Sequence, residues 1–316
     1  MAAAVRLLAR RVAAAVLVLW GAASCAFFVL RLVPGDPVNA IVGNDSMMGA
    51  EQREAVRRQY GLDQSLFDQY LGYLHHLIRG DLGDSYQLQQ PVSSLLAHQL
   101  PPTAELAFWT ALSAVLTAVI VTVLTSGRSN RPRHISAAVE LVAISTPSFW
   151  MGTMLLTVFS FRLGWLPISD SGDGRSLILP VATLALPMAA LLTQVMREGL
   201  LTAMKEPFVL SARSRGLAEH TVRSRHALRH AALPALTLAG WFTGNLLGGV
   251  VVVESVFARA GIGRIALQAV RDRDLPVVQG VVLLSAVVFV VINAVVEMLY
   301  AAVDPRLRRG TGVQTT

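Results

Sequence analysis

Charge is scarce in this sequence: 15% of its 316 residues are Asp, Glu, Lys or Arg, where a soluble domain carries about 25%. That is too little to wet the surface of a globule, and with 53% hydrophobic residues most of the surface is expected to face lipid. Cysteine is nearly absent. Cys25 stands alone, which excludes an intrachain disulfide and a thiolate metal cluster. It sits in Ala22-Ala23-Ser24-Cys25, a partial lipoprotein-type box, and reads as a small residue inside a membrane helix because further spans follow. Lysine is as rare: Lys205, between Met204 and Glu206, is the only one. A phosphate-binding loop needs Gly-Lys-Ser/Thr so that the lysine reaches the terminal phosphates, so the chain cannot hydrolyse ATP by that chemistry. His-Glu-x-x-His and Gly-x-Ser-x-Gly are missing too. These absences speak against an enzyme and against a resident cofactor or metal. His226 and His230 lie one helical turn apart, but in an arginine-rich segment that repels cations, with no third ligand nearby.

What is present is apolar length. Six windows without a charged residue can cross a hydrocarbon core of about 30 Å: Val12–Leu30, Leu106–Ser126, Leu141–Phe161, Ser176–Met196, Ala231–Val253 and Leu275–Val296. In lipid the backbone must satisfy its own hydrogen bonds, so these are expected as helices and the fold as all-α with six transmembrane helices. Val12–Leu30 is too long for the apolar core of a cleaved signal peptide. Pro180 and Pro187 in the fourth window predict a kink or local unwinding.

The formal net charge of +7 raises nucleic acid as a partner. The basic residues sit instead in short blocks between the apolar runs, the positive-inside pattern, and no nucleic-acid module is present. Arg6, Arg10 and Arg11, then Arg128, Arg131 and Arg133, then the run from Arg197 to Arg229, then Arg306, Arg308 and Arg309 all fall on one side, the cytoplasm. An even span count puts both termini there. Arg259, Arg264, Arg271 and Arg273 depart from the rule and fall outside. The segment from Arg31 to Pro101, with eight acidic and five basic residues, is expected as a small folded extracytoplasmic subdomain. It holds Leu66, Tyr70, Leu74, Leu77 and Ile78 at helical spacing, ended by Gly80. The expected organisation is therefore residues 1–30 (N-terminal segment and first span), 31–101 (subdomain), 102–303 (five-span core with a cytoplasmic loop at 197–233) and 304–316 (cytoplasmic tail).

That loop is the most informative stretch. Small residues at Ser211, Ala212 and Ser214 allow close backbone approach, and Gly216 permits a sharp turn between two short helices. A small-residue helix flanked by arginines fits a groove on a soluble partner; a basic loop lying on anionic headgroups is the alternative.

The spacing of Ala212, Gly216 and Leu233-Pro234 resembles the cytoplasmic signature loop of ATP-binding-cassette importer permeases. Leu210 stands where that signature usually has a glutamate, and the gap to Leu-Pro is long, both typical of the dipeptide/oligopeptide/nickel branch. Further blocks resemble that branch in the same order: Leu32-Val33-Pro34-Gly35-Asp36-Pro37-Val38, Gly80-Asp81-Leu82-Gly83-Asp84-Ser85, Leu100-Pro101-Pro102-Thr103-Ala104-Glu105-Leu106 and Thr146-Pro147-Ser148-Phe149-Trp150. Val253-Glu254-Ser255-Val256-Phe257, Pro276-Val277-Val278-Gln279-Gly280 and Asp304-Pro305-Arg306 complete the series, which runs from Arg6 to about Arg308.

The resemblance implies a bacterial plasma (inner) membrane complex of two permease chains, a heterodimer, with two ATPase subunits that bind ATP-Mg and an extracytoplasmic solute-binding protein. It implies that Ser211, Ala212, Arg213, Ser214, Gly216 and Leu217 dock the ATPase. Polar residues inside membranes are costly and so are candidates for function: Gln194, Asn245 and Asn293 within the spans, Glu140 and Glu297 at their edges, with interhelical hydrogen bonding as the competing role. Glu105 and Glu254 lie near the outside ends, placed to gate the pore or dock the binding protein. Gly244, Gly248 and Gly249 are expected to allow close helix packing. Within the branch the expected cargo is a di- or oligopeptide. Nickel is second, because none of the seven histidines lies in a span. A secondary transporter would show an inverted repeat and a membrane-embedded ion site. A signalling or scaffold membrane protein would leave the order of the blocks unexplained.

Overall fold

In the computed structural model four of the six uncharged runs fall in long helices, because each satisfies its backbone internally and offers apolar side chains all round. The structure describes residues 2–32, 36–42, 49–125, 130–168, 174–228 and 248–303, together with Ala231, Ala235, Leu238 and Gly240. Helices α1 (Ala2–Leu32), α2 (Pro37–Val42), α3 (Ala50–Gln59) and α4 (Leu66–Ile78) precede α5 (Val92–Thr125). Helices α6 (Asn130–Ser145) and α7 (Ser148–Leu155) follow, and α7 runs on as a π-helical turn, Leu156–Arg162. Next come α8 (Ile178–Ala203), α9 (Pro207–Ser214) and the short α10 (Glu219–Thr221), extended by a second π-helical turn, Val222–Ala227. Residues 248–256 are helical, and α11 (Ile262–Asp272) and α12 (Leu275–Val303) close the described chain.

Among the described residues four helices are long and apolar enough to cross a membrane: Ala9–Leu32, Val92–Thr125, Gly174–Ala203 and Leu275–Met298. A fifth crossing arises if Arg131–Ser145 and Ser148–Arg162, which meet at 107°, form one broken span. The bend falls inside the window Leu141–Phe161. Its cause is local: Pro147 has no N–H to donate and pushes Thr146 away from helical geometry, while the Thr146 hydroxyl turns back to Val142 O at 2.6 Å. Pro187, in contrast, sits inside an unbroken α8, so the local unwinding considered for that window does not occur. Most of the window Ala231–Val253, with Leu233-Pro234, Gly244 and Asn245, lies outside the described residues, as do Pro34-Gly35, His230 and the tail from 304 to 316.

The chain forms two compact units: residues 1–101 with 261–290, and residues 102–260 with 291–316. In the first, α4 starts at Ser65, whose hydroxyl accepts from Asp68 N at 3.2 Å, and stops at Gly80, in the left-handed region at φ +75. Its Tyr70 and Tyr73 rings lie 5.4 and 5.5 Å from Phe27 of α1, and the Tyr70 hydroxyl meets Ser24 Oγ at 2.6 Å. The connection between α11 and α12 is organised by Asp274, which is 2% exposed. Its carboxylate accepts from Ser85 Oγ (2.5 Å) and from the backbone N–H groups of Tyr86 and Gln87 (3.2 Å each). Below it, Gly280 faces Val92 so closely that a Cβ would stand 2.6 Å from a valine methyl.

In the second unit α8 is the central element. Ala114 and Ala118 of α5 and Ala185 and Ala189 of α8 share one buried cluster with Met188, Leu192 and Met196. Small residues on both helices let the backbones approach without a hydrophobic driving force from lipid.

Candidate functional site: a clamped loop and a helix-lined cavity

Helix α9 begins with Pro207 at its first turn, a position where the missing N–H costs nothing. Val209 and Ala212 are its buried face and pack against Val222. Gly216 ends the segment at φ +76 with open space around its Cβ position, so its backbone, not crowding, demands glycine. The Leu217 N–H returns to Ala212 O at 3.3 Å. Arg213 closes the turn from the side, giving Nε to Glu219 Oε2 at 3.1 Å and Nη2 to Oε1 at 2.8 Å. Arg223 adds a contact to the same carboxylate at 3.3 Å. The Arg213 hydrogen bond holds the Glu219 carboxyl below its ordinary value, and Glu219 in turn raises Arg213.

The six docking residues expected from the sequence thus divide by role. Ser211, Ser214 and Leu217 are exposed, Arg213 is engaged sideways, Gly216 makes the turn, and Ala212 points inward. Sequence reasoning passed over Leu210, 72% exposed on the same helix, and Glu219, the partner of Arg213. A leucine beside the small residues of a basic loop and an acid six residues after an arginine were the available signals.

The loop is rooted in a buried ion pair. Arg197 of α8 reaches Glu140 of α6 with both terminal nitrogens, Nη1 to Oε2 at 3.0 Å and Nη2 to Oε1. Arg197 also donates to Ser136 Oγ (2.9 Å) and to Thr125 Oγ1 at the end of α5 (3.3 Å). Both side chains of the pair are under 10% exposed. Beside this root a cleft of about 500 Å³ lies along α8 and the start of α9, with Glu198 and Glu206 on its wall.

A larger cavity, about 630 Å³, runs between α5 and α8. Glu105, Trp109, Ser113 and Thr117 line it at steps of one helical turn, facing Ile178, Val181, Ala182 and Ala185 of α8. Glu105 is the one ionisable group among the described residues that line it. Arg259 donates Nη2 to Glu105 Oε2 at 2.8 Å, with 6% of the arginine side chain exposed against 47% of the glutamate. Two residues before Glu105, Thr103 donates to Glu254 Oε1 at 2.6 Å, and Glu254 is fully buried. The two carboxylates singled out from sequence therefore meet one another's neighbours, but only Glu105 faces a cavity. Arg259, one of the arginines that departed from the charge rule, is the counter-ion.

Gln194 is half-buried on α8, and Asn293 and Glu297 are exposed on α12, away from both features. Of the glycines, Gly249 lies under Leu184, 3.1 Å from a Cβ position, and Gly248 has open space around it.

Two family models cover this chain. The model described as the inner membrane component of binding-protein-dependent transport systems matches residues 114–309, and the model of the N-terminal part of such membrane components matches residues 4–107. A protein of Brucella abortus strain 2308, provisionally named a peptide transport system permease, is 38% identical over 311 residues, covering 96% of this chain and 98% of its own. The glutathione transport system permease protein of Escherichia coli K12 is 36% identical over 283 residues, covering 89% and 92%. Among solved structures, an inward-facing methionine transporter of the ATP-binding-cassette class superposes with a TM-score of 0.55 at 17% identity, over 66% of this chain and 96% of that one. An amino acid transporter of the same class gives 0.53 at 18% identity, over 66% and 94%.

Proposed function

Because the chain belongs to the binding-protein-dependent transport system inner membrane components, the permeases of ATP-binding-cassette importers, we propose that it forms half of a pore importing di- and oligopeptides. The observation that carries this reading is the tip of the cytoplasmic loop. Leu210, Ser211 and Ser214 are presented to solvent on a helix whose inner face is packed and whose end is clamped by Arg213 and Glu219, and Leu217 is exposed just past the turn that ends it. Such a short, compact knob suits the groove of a soluble ATPase.

In this reading the chain spans the bacterial inner membrane six times, the fifth window supplying the remaining crossing, with both termini in the cytoplasm. Residues 31–101 stand outside, where a solute-binding protein delivers cargo. A second permease chain completes the pore, and two ATPase subunits engage the two cytoplasmic loops. Closure of the ATPase dimer pushes on α9. The push passes to α8 through the packing of Val209 and Ala212 and from α8 to α6 and α5 through Arg197 and Glu140. The pore then alternates between inward-open and outward-open states, each favoured by a different ligand. The wall formed by Glu105, Trp109, Ser113 and Thr117 is the part of this chain that cargo passes, and Glu105 offers the carboxylate oxygen that Arg259 leaves unused.

The test is Gly216→Asp in proteoliposomes holding the partner permease, the ATPases and the binding protein. The variant is expected to insert normally and to hydrolyse ATP without driving peptide uptake. Uptake coupled as in the wild type would remove α9 from the coupling role.

A further inference from the structure

The first unit contains a cleft of about 500 Å³ that the pore reading does not use. It lies between α4, the end of α1, the loop after Gly80 and the start of α12. Two buried polar atoms of residues on its lining have no hydrogen-bond partner among the described residues: the hydroxyl of Tyr73 and Oε1 of Gln69. They are one helical turn apart on α4 and so share a face. Gln69 has a defined orientation, because its Nε2 donates to Gln64 O at 2.8 Å, which leaves Oε1 as its acceptor. Burial pushes the Tyr73 phenol up to about 12, so its hydroxyl keeps a proton to donate. Buried polar groups are almost always satisfied, and a donor and an acceptor left together on a cavity wall call for a ligand that carries both.

The charges around the cleft are of both signs. Arg31 lies over the Phe27 ring, 5.1 Å from its centroid, and lines the cleft with no carboxylate of the described residues bound to it. Asp84 lines it, exposed and without an ion-pair partner among the described residues. Asp68 engages Ser65 through Oδ2 only, which leaves its other oxygen. Asp81 is already committed to His76 and to the Gly83 N–H. An anion-seeking guanidinium, two cation-seeking carboxylates and an amide-like donor–acceptor pair in one cavity match a small molecule with an ammonium, a carboxylate and a peptide bond. The volume falls in the range of small-molecule sites, which is about 300–1,000 Å³.

We propose that this cleft binds a short zwitterionic peptide, its ammonium toward Asp84 and Asp68, its carboxylate toward Arg31 and its amide on Tyr73 and Gln69. The proposal rests on the import reading only in taking the bound peptide to be cargo at an outer site before the pore. The bare cleft would otherwise hold water, which satisfies the same two atoms without selectivity.

The experiment is calorimetric titration of the permease pair in lipid nanodiscs, without binding protein or nucleotide, with dialanine as the probe. Saturable binding is expected, at least tenfold weaker for N-acetyl-dialanine amide, which keeps the peptide bond and loses both charges. Tyr73→Phe, which removes one oxygen, and Asp84→Asn, at an exposed position, are each expected to weaken dialanine at least fivefold. Absence of saturable binding assigns the cleft to water and overturns the proposal, as does binding that neither variant changes. ATP-driven dialanine uptake in proteoliposomes is measured in parallel. Uptake without cleft binding defeats this site and leaves the import reading standing; cleft binding without uptake does the reverse.

Discussion

Two arginine–glutamate pairs hold the loop between α8 and residue 228 and the helices it springs from, and they differ in almost everything except residue type. Arg197 and Glu140 are buried, bidentate and surrounded by the hydroxyls of Ser136 and Thr125. Arg213 and Glu219 make a bidentate pair open to water, their side chains 47% and 40% exposed, six residues apart in one loop. The first joins three helices across 57 residues or more; the second shapes a single turn. A charge pair in a dry place is worth keeping intact mainly because breaking it strands a charge. A wet pair is nearly free to exchange its partner for water. The root of the loop is therefore built to be rigid and its tip to be adjustable, which is the division a lever needs.

The sharpest way to break the comparison is at the root. Arg197→Met leaves Glu140 buried without its counter-ion and is expected to cost about 3–5 kcal/mol, seen as a large fall in Tm in detergent and loss of the folded complex. The double variant Arg197→Met with Glu140→Leu removes both charges and should recover most of that stability. If uptake nonetheless stays lost in the double variant, the pair transmits motion as well as holding the helices. An intermediate effect is expected at Gly216→Val, where a branched side chain at φ +76 costs roughly 1–2 kcal/mol. Its signature is faster amide exchange across residues 213–219 with little change in the spans.

The smallest effect belongs to Glu219→Gln, which should leave Tm within error of the wild type while raising exchange at the tip. The pH dependence there has a definite sign. The Glu219 carboxyl is depressed in the folded loop from its ordinary 4.5, so its contribution is complete above that value and is lost as pH falls through the folded one. About 1 M salt, where screening acts over about 3 Å, should weaken the tip in the same exchange measurement and leave the root unchanged. Equal salt sensitivity at both would erase the distinction.

Much of the fold was legible because the physics is one-dimensional. An uncharged run of about twenty residues has few fates; α1 and α12 each contain one of the expected windows, and α5 and α8 contain all but one end of theirs. Leu66 to Ile78 shows its helix by spacing, and Gly80 its end by the left-handed turn that glycine accepts. The bend at Thr146-Pro147 was visible only as a proline. Pro187 is the same residue type and breaks nothing, so the difference lies in packing and not in composition. Partners distant in sequence were out of reach altogether. Nothing near Glu140 names Arg197, nothing near Glu105 names Arg259, and Asp274 gives no hint that it organises the loop at Ser85. The inward turn of Ala212 was hidden for a related reason: a small residue is as suited to a core as to a docking face, and only Val222 decides between them.

The π-helical turn at Leu156–Arg162 has a consequence for how such a chain can change over time. A π turn is an α-helix that has absorbed a surplus residue, its hydrogen bonds stretched from the fourth neighbour to the fifth. It is thus the natural scar of an insertion, and a place where one residue can be removed with the helix relaxing to ordinary winding. Single-residue length differences among permeases of this family would be accommodated here at little cost. The same deletion made in α8 near Arg197 would rotate every following side chain by about 100°, since a helix has 3.6 residues per turn, and carry the arginine away from Glu140.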